Sequence, residues 1–208
     1  MSKLFKIKTK VQDEKEISND FYKCDNSKGL VVLFPGVNYS CDKPLLHYAR
    51  KIAILNSFDV LCIEYSKKLT KDDVENGNLE FLEKEILMTL KEVKYKAYNK
   101  IYFISKSIGT KIAGELGEVL GDKKIKQLYL TPLKGTIRYM KNIKCAAITG
   151  TKDKFFKSED IDIIKEESNV NFILIEEANH SLEIEDDISG SIKILNKVSE
   201  EIIKFLSE

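Results

Sequence analysis

A serine, an aspartate and a histidine, in that order along the chain, have the side-chain types and settings that nucleophilic chemistry needs. Ser107 is the centre of Ser105-Lys106-Ser107-Ile108-Gly109, which follows a short run rich in β-branched and aromatic residues and leads without a gap into an amphipathic helix pattern. A strand, a tight turn and a helix make a nucleophile elbow. The turn strains its central residue, and small neighbours two positions to either side tolerate it. Ser105 and Gly109 are both small, Ser105 being the departure from the usual glycine. Ser-x-Gly also occurs in ordinary strand-to-helix turns, so the motif needs partners. A serine hydroxyl is a weak nucleophile at neutral pH and requires a base beside it. The chain has only two histidines. His180 lies in a loop after the last strand pattern, whereas His47 sits inside the first helix pattern and reads as a helix-surface residue. The base in turn needs a carboxylate to hold its tautomer and stabilise the imidazolium. Asp153 leaves a strand through Gly150-Thr151-Lys152-Asp153, with Glu176, Glu177 and Asp160 as competitors. A turn-former or helix N-cap is the plainer alternative for Asp153.

An acyl-transfer site also needs donors for a developing oxyanion, usually main-chain N–H groups. Ile108 directly follows the serine at a helix N-terminus and supplies one candidate. Pro35-Gly36 breaks the strand pattern at 30–34, so the N–H of Val37 is the second candidate, closely followed by Asn38. Pro-Gly is also a common plain turn.

Positioning these groups together is a demand on the whole chain. From residue 30 onward, strand and helix patterns alternate. Strands are expected at 30–34, 58–63, 100–105, 125–130, 144–149 and 170–175. Helices are expected at 43–55, 79–93, 108–120, 137–141, 158–167 and 190–206, the 108–120 helix being closed by Gly121. Residues 3–10 alternate as an exposed edge strand does, and a second short strand is expected near 17–24. Such alternation predicts an α/β fold with a mainly parallel sheet, helices on both faces and right-handed crossovers. The working site of such a sheet lies at the carboxyl ends of its strands, where Ser107, Asp153, His180 and Val37 all fall. Residues 66–78 read as a polar surface loop. There is no internal repeat, low-complexity tract or linker, which predicts a single domain over 1–208.

Composition narrows the function classes. The formal net charge of +1 over 208 residues offers no field for nucleic acid or a membrane surface. No apolar run approaches the ~18 residues that span a bilayer, and the N-terminal segment lacks the apolar core of a secretory leader. Cys24, Cys41, Cys62 and Cys145 lack metal-ligand spacing and are expected to be reduced and structural, in a cytoplasmic protein. Neither a metal nor a cofactor is expected.

In Leu33-Phe34-Pro35-Gly36-Val37, the elbow, Gly150-Thr151-Lys152-Asp153 and Ala178-Asn179-His180-Ser181, the chain resembles the α/β hydrolases. The likeness is to their small lidless, dienelactone-hydrolase-like members, and it spans most of the chain. It implies an eight-stranded, mostly parallel sheet with an antiparallel second strand, no lid domain, and Ser107, Asp153 and His180 as triad. Pro35 stands where many relatives have His, which a main-chain donor tolerates. Ser rather than Cys at the elbow disfavours dienelactone chemistry itself. An open site is expected, rimmed by Tyr39, Cys41, Tyr65, the 66–78 loop and Tyr139, with Tyr39 a candidate substrate contact.

The first functional reading is a serine hydrolase acting on a small-molecule carboxylic ester or thioester, with Val37 and Ile108 N–H groups as oxyanion hole. A peptidase or amidase using the same residues is the alternative within enzymes. A non-catalytic binding protein that keeps the fold is the alternative outside them. Substrate and oligomeric state are not written in these patterns.

Overall fold

The computed structural model describes residues 2–11, 16–70, 73, 79–121 and 123–208. Most of the expected 66–78 loop, including Asn76-Gly77-Asn78, lies outside the described residues. The elements are β1 (Ser2–Lys10), β2 (Glu16–Cys24), β3 (Leu30–Phe34), α1 (Pro44–Leu55), β4 (Asp59–Cys62), α2 (Glu80–Glu92), β5 (Ile101–Lys106), α3 (Ile108–Leu120), β6 (Ile125–Leu130), α4 (Ile137–Asn142), β7 (Cys145–Gly150), α5 (Ser158–Lys165), β8 (Val170–Ile175) and α6 (Ile188–Ser207).

The described strands form one eight-stranded sheet in the order β1-β2-β4-β3-β5-β6-β7-β8. β2 runs antiparallel to both β1 and β4, and every other pairing is parallel. β3, an unbroken apolar run with every side chain fully buried, occupies the middle. A strand covered on both faces has no polar side to present, hence no alternation. The next strand, β4, lies on one side of β3, and β5 lies on the other. The order reverses there, so the carboxyl ends of β3 and β5 border a crevice that the later strands extend.

Side-chain alternation sorts the sheet into two faces. Val31, Leu33, Tyr102, Ile104, Leu128, Leu130 and Ile148 pack with α1 and α6. Leu30, Val32, Phe34, Ile101 and Phe103 pack with α2 and α3 on the opposite face. Tyr129, Cys145 and Ala147 extend that second face under α4 and α5. Each fully buried Val, Leu, Ile or Phe contributes about 1.5–3 kcal/mol relative to an exposed one, so this core holds the strand ends in place.

The helix boundaries follow local chemistry. Pro44 occupies the first turn of α1, where its missing N–H costs nothing. Gly121 ends α3 with φ 56°, the left-handed cap expected of it. α6 starts two residues before the expected 190, because the Asp187 carboxylate accepts the Gly190 N–H at 2.8 Å and caps the helix. Only residues 131–136 separate β6 from α4, too few for a lid. No helix among the described residues is long and apolar enough to cross a membrane.

Candidate active site

β5 ends at Lys106 and α3 begins at Ile108, which leaves Ser107 alone to make the turn. Its backbone sits at φ 54°, ψ −121°. An L-residue in such a region carries on the order of 1–3 kcal/mol of strain, which surrounding structure must hold. Ser107 N–H donates to Leu130 O at 3.1 Å, and Thr110 donates to Ser107 O through its N–H at 2.9 Å and its hydroxyl at 2.6 Å. Gly109 is needed for close approach, since a Cβ there would lie 2.5 Å from Phe34 O and 2.6 Å from Pro35 O. Ser105 is fully buried, and its hydroxyl donates to Leu128 O at 3.3 Å. A small side chain with an internal partner thus satisfies the position where glycine is more usual.

The structure brings the three sequence-selected groups together. His180 Nε2 lies 2.9 Å from Ser107 Oγ. His180 Nδ1 lies 2.9 and 2.8 Å from the two carboxylate oxygens of Asp153. A carboxylate only accepts, so Nδ1 carries the proton and Nε2 presents a lone pair to the serine hydroxyl. The Asp153 carboxylate is wholly enclosed. It also accepts the Thr149 hydroxyl at 3.0 Å and the Phe155 N–H at 2.8 Å, and the Phe155 ring lies 4.7 Å from the imidazole. Burial is the main cause lowering the His180 pKa below its usual value, and the nearby Lys106 ammonium adds to it. The Asp153 hydrogen bond opposes both.

Two loops hold Asp153 and His180 in register. Asn179 Oδ1 accepts the N–H groups of Ser181 and Glu183 at 2.8 and 3.3 Å, folding the loop around His180. Lys152 N–H donates to Ala178 O at 2.9 Å, and Glu177 N–H donates to the Thr149-side loop at Thr151 Oγ1, also at 2.9 Å. Gly150 lies so close that a Cβ would stand 1.9 Å from Ala178 O. Gly150→Ala is therefore expected to force the two loops apart and destabilise the protein by about 1–3 kcal/mol, the usual effect of overpacking. A lower urea midpoint with an unchanged slope would register this. A wild-type midpoint would mean that the loops separate without cost.

The turn after β3 lies against the elbow: a Cβ on Gly36 would be 3.2 Å from Ser107 Cβ. Gly36 and Tyr39 exchange main-chain hydrogen bonds of 3.0 and 3.2 Å, with Val37 and Asn38 as the two residues at the tip. Asn38 takes φ 53°. That pairing uses neither the Val37 nor the Asn38 N–H. The Ile108 N–H opens α3, in the first turn where a helix has no acceptor of its own.

Other expectations do not meet at this site. Glu176 and Glu177 are exposed, Glu177 pairing with Lys152 at 3.6 Å, and Asp160 accepts the Lys157 N–H at the start of α5. His47 contacts Arg50 at 3.1 Å on α1. Two expected rim residues lie in the interior. Cys41 is core, with its thiol 3.9 Å from Leu33 O, because the turn after β3 folds back over the sheet. Tyr139 is buried against Gly114 because α4 packs directly on α3. The Tyr39 hydroxyl accepts the Leu45 N–H at 3.0 Å, and its ring lies under Lys106 Nζ at 5.0 Å. Tyr65 donates to Pro35 O at 2.9 Å and so braces the turn.

Lys106, Thr149, Phe155 and Asn179 escaped sequence reasoning as site residues. For Lys106 a signal existed: a charged residue closing a strand buried on both faces. Clefts of about 920 and 500 Å³ open beside the site, the first along Lys152, Phe155 and His180, the second along Gly36, Asn38 and Tyr65. A third cavity, of about 640 Å³, opens at the opposite, amino ends of β6 to β8, near Lys126 and Asn171. Among the described residues, no three His, Cys, Asp or Glu side chains are grouped to hold a metal ion.

No family model matches the sequence, and no curated protein matches it. Solved structures do. An esterase of Pyrococcus furiosus superposes with a TM-score of 0.74 at 16% identity, over 99% of this chain and 92% of that one. An alpha-beta serine hydrolase homologue from Coxiella burnetii superposes at 0.68 and 13% identity, over 98% and 97%. The chain has the α/β-hydrolase fold. A dienelactone hydrolase from Anabaena variabilis, at 0.67 and 11% identity over 96% of each chain, has it too. Near-complete coverage in both directions means that this α/β-hydrolase-fold chain carries no large insertion relative to those small neighbours.

Proposed function

We propose that this chain is a serine hydrolase that cleaves a carboxylic ester or thioester through an acyl-enzyme on Ser107. The observation that carries the reading is the unbroken line of contacts from Ser107 Oγ through His180 to the enclosed Asp153 carboxylate. The three come from separate loops at the carboxyl edge of the sheet. Similarity in fold to an esterase and a dienelactone hydrolase supports hydrolytic chemistry.

In this mechanism His180 Nε2 takes the Ser107 proton as Oγ attacks the substrate carbonyl carbon. The carbonyl π pair moves onto oxygen, and the N–H groups of Val37 and Ile108 stabilise it. The intermediate collapses, the bond to the alcohol or thiol breaks, and His180 returns its proton to that leaving group. Water then attacks the acyl-enzyme with His180 again as base, the bond from the acyl carbon to Oγ breaks, His180 returns the proton to Ser107 Oγ, and the acid departs. Asp153 holds the productive tautomer throughout and remains ionised. Val37 is preferred to Asn38 as second donor because its peptide is bonded directly to Gly36, which abuts Ser107.

Intact-mass labelling with a small fluorophosphonate, with peptide mapping, tests the proposal. A single adduct on Ser107 is expected, lost or greatly slowed in His180→Ala. An unlabelled but folded wild-type chain would favour a binding protein on the hydrolase fold. Ester, thioester and amide analogues of one acyl group then separate esterase from amidase.

A further inference from the structure

Lys106 is a lysine in the interior. It is 2% exposed and stands one residue before Ser107 at the end of β5. Strand alternation sends its side chain to the α1/α6 face with Tyr102 and Ile104, the face over which the His180 loop enters α6. There its Nζ donates to the main-chain carbonyl of His180 at 2.9 Å and lies 5.0 Å above the Tyr39 ring. An ammonium in such a place costs desolvation energy that an apolar side chain of the same length would avoid. Its partners belong to the turn after β3 and to the base-bearing loop. The lysine ties both to the elbow.

We propose that Lys106 is a positioning residue, its ammonium clamping the His180 carbonyl and the Tyr39 ring so that base, oxyanion turn and nucleophile keep one geometry, the neutral amine holding them less tightly. The inference rests on the hydrolase reading for its kinetic consequences but not for its structural ones. The groups facing the ammonium are Tyr39 from the turn after β3, Asp153 from the loop after β7, and His180 and Glu183 from the loop before α6. Asp153 and Glu183 favour the charged form, while burial disfavours it more and brings the lysine down to about 8. Tyr39 is pushed up to about 12 by its own burial and stays neutral through this range.

Two limbs follow in a pH profile. The neutral imidazole is the base, so activity rises with pH through the His180 pKa, which burial and the Lys106 charge hold below the ordinary value. Activity falls again near pH 8 as Lys106 loses its proton and a neutral amine replaces the charge-assisted bond. A role limited to filling space predicts neither limb's dependence on residue 106.

The experiment is an NMR titration of the His180 ring in wild type, Lys106→Met and Lys106→Arg, beside kcat and KM for p-nitrophenyl acetate across pH. Lys106→Met is expected to raise the His180 pKa, because a cation that opposed the imidazolium is gone. It should also lower kcat on the order of 10²-fold, as a base displaced by about 1 Å does, with KM little changed. Lys106→Arg keeps the charge and should restore most of kcat while abolishing the alkaline limb, since arginine does not deprotonate. A His180 titration and kcat in Lys106→Met equal to wild type would overturn the clamp. Should that variant fail to fold, Lys106→Gln replaces it, and a His180 titration and kcat equal to wild type in that variant would overturn the clamp equally. A wild-type chain that turns over no ester yet shows a Lys106-dependent His180 titration would defeat the hydrolase reading and leave the clamp standing.

Discussion

Ser107→Ala is expected to abolish ester turnover, lowering kcat on the order of 10⁶-fold, with the fold intact. That magnitude is typical of removing the nucleophile from a triad whose members act as a unit. Alanine keeps the Cβ, so the strained backbone at φ 54° and the hydrogen bonds to Leu130 and from Thr110 need not change. What disappears is the hydroxyl that contacts His180 Nε2. Ser105 cannot take over, because it is fully buried and its hydroxyl is committed to Leu128 O. Steady-state hydrolysis of p-nitrophenyl acetate, checked by circular dichroism, is the measurement. Appreciable turnover by the folded variant would remove Ser107 from the mechanism.

Asp153→Asn should lower kcat by about 10⁴-fold, close to 5.5 kcal/mol of transition-state stabilisation, without unfolding the chain. The carboxylate uses its oxygens to accept from Thr149, Phe155 and His180 Nδ1. An amide has one accepting oxygen for three donors. If that oxygen keeps the Phe155 N–H, its NH2 group faces the imidazole and donates to Nδ1. The ring proton then moves to Nε2, which can no longer take the Ser107 proton. The Thr149 hydroxyl can turn to accept, so the damage falls on tautomer more than on packing. ¹⁵N shifts of the His180 ring would show the change of tautomer directly. A variant with native kcat would mean that the imidazole is oriented by other contacts, such as the Phe155 ring.

The fold was readable in unusual detail because its elements declare themselves locally. β3 is a continuous apolar run, α1 places Leu45, Leu46, Ala49, Ile52 and Ala53 on one face, and all five are buried. The elbow was readable for a similar reason: one residue between strand and helix can only turn sharply, and small neighbours mark the place. The site rim was not readable. Cys41 and Tyr139 were expected at its edge and lie in the core, because whether a loop residue faces solvent depends on how that loop folds onto elements distant in the chain. Lys106 falls between these cases. Alternation along β5 assigns its face, but nothing local says that a carbonyl and an aromatic ring wait there to receive the ammonium.

Local pattern and turn chemistry thus determined the order of strands and helices, the edge of the sheet where chemistry must lie, and the residue types available for it. Tertiary structure alone decided which of those residues meet. Ser107 and His180 are 73 positions apart, and their 2.9 Å contact exists only because β5 and the loop after β8 end at the same edge of one sheet. The same packing brought Asp153 to the imidazole and left the two glutamates in solvent and Asp160 buried at the start of a helix, where it accepts the Lys157 N–H. A carboxylate's reach to a histidine is a matter of a few ångströms, and hydrophobic burial spread over the whole core sets that distance.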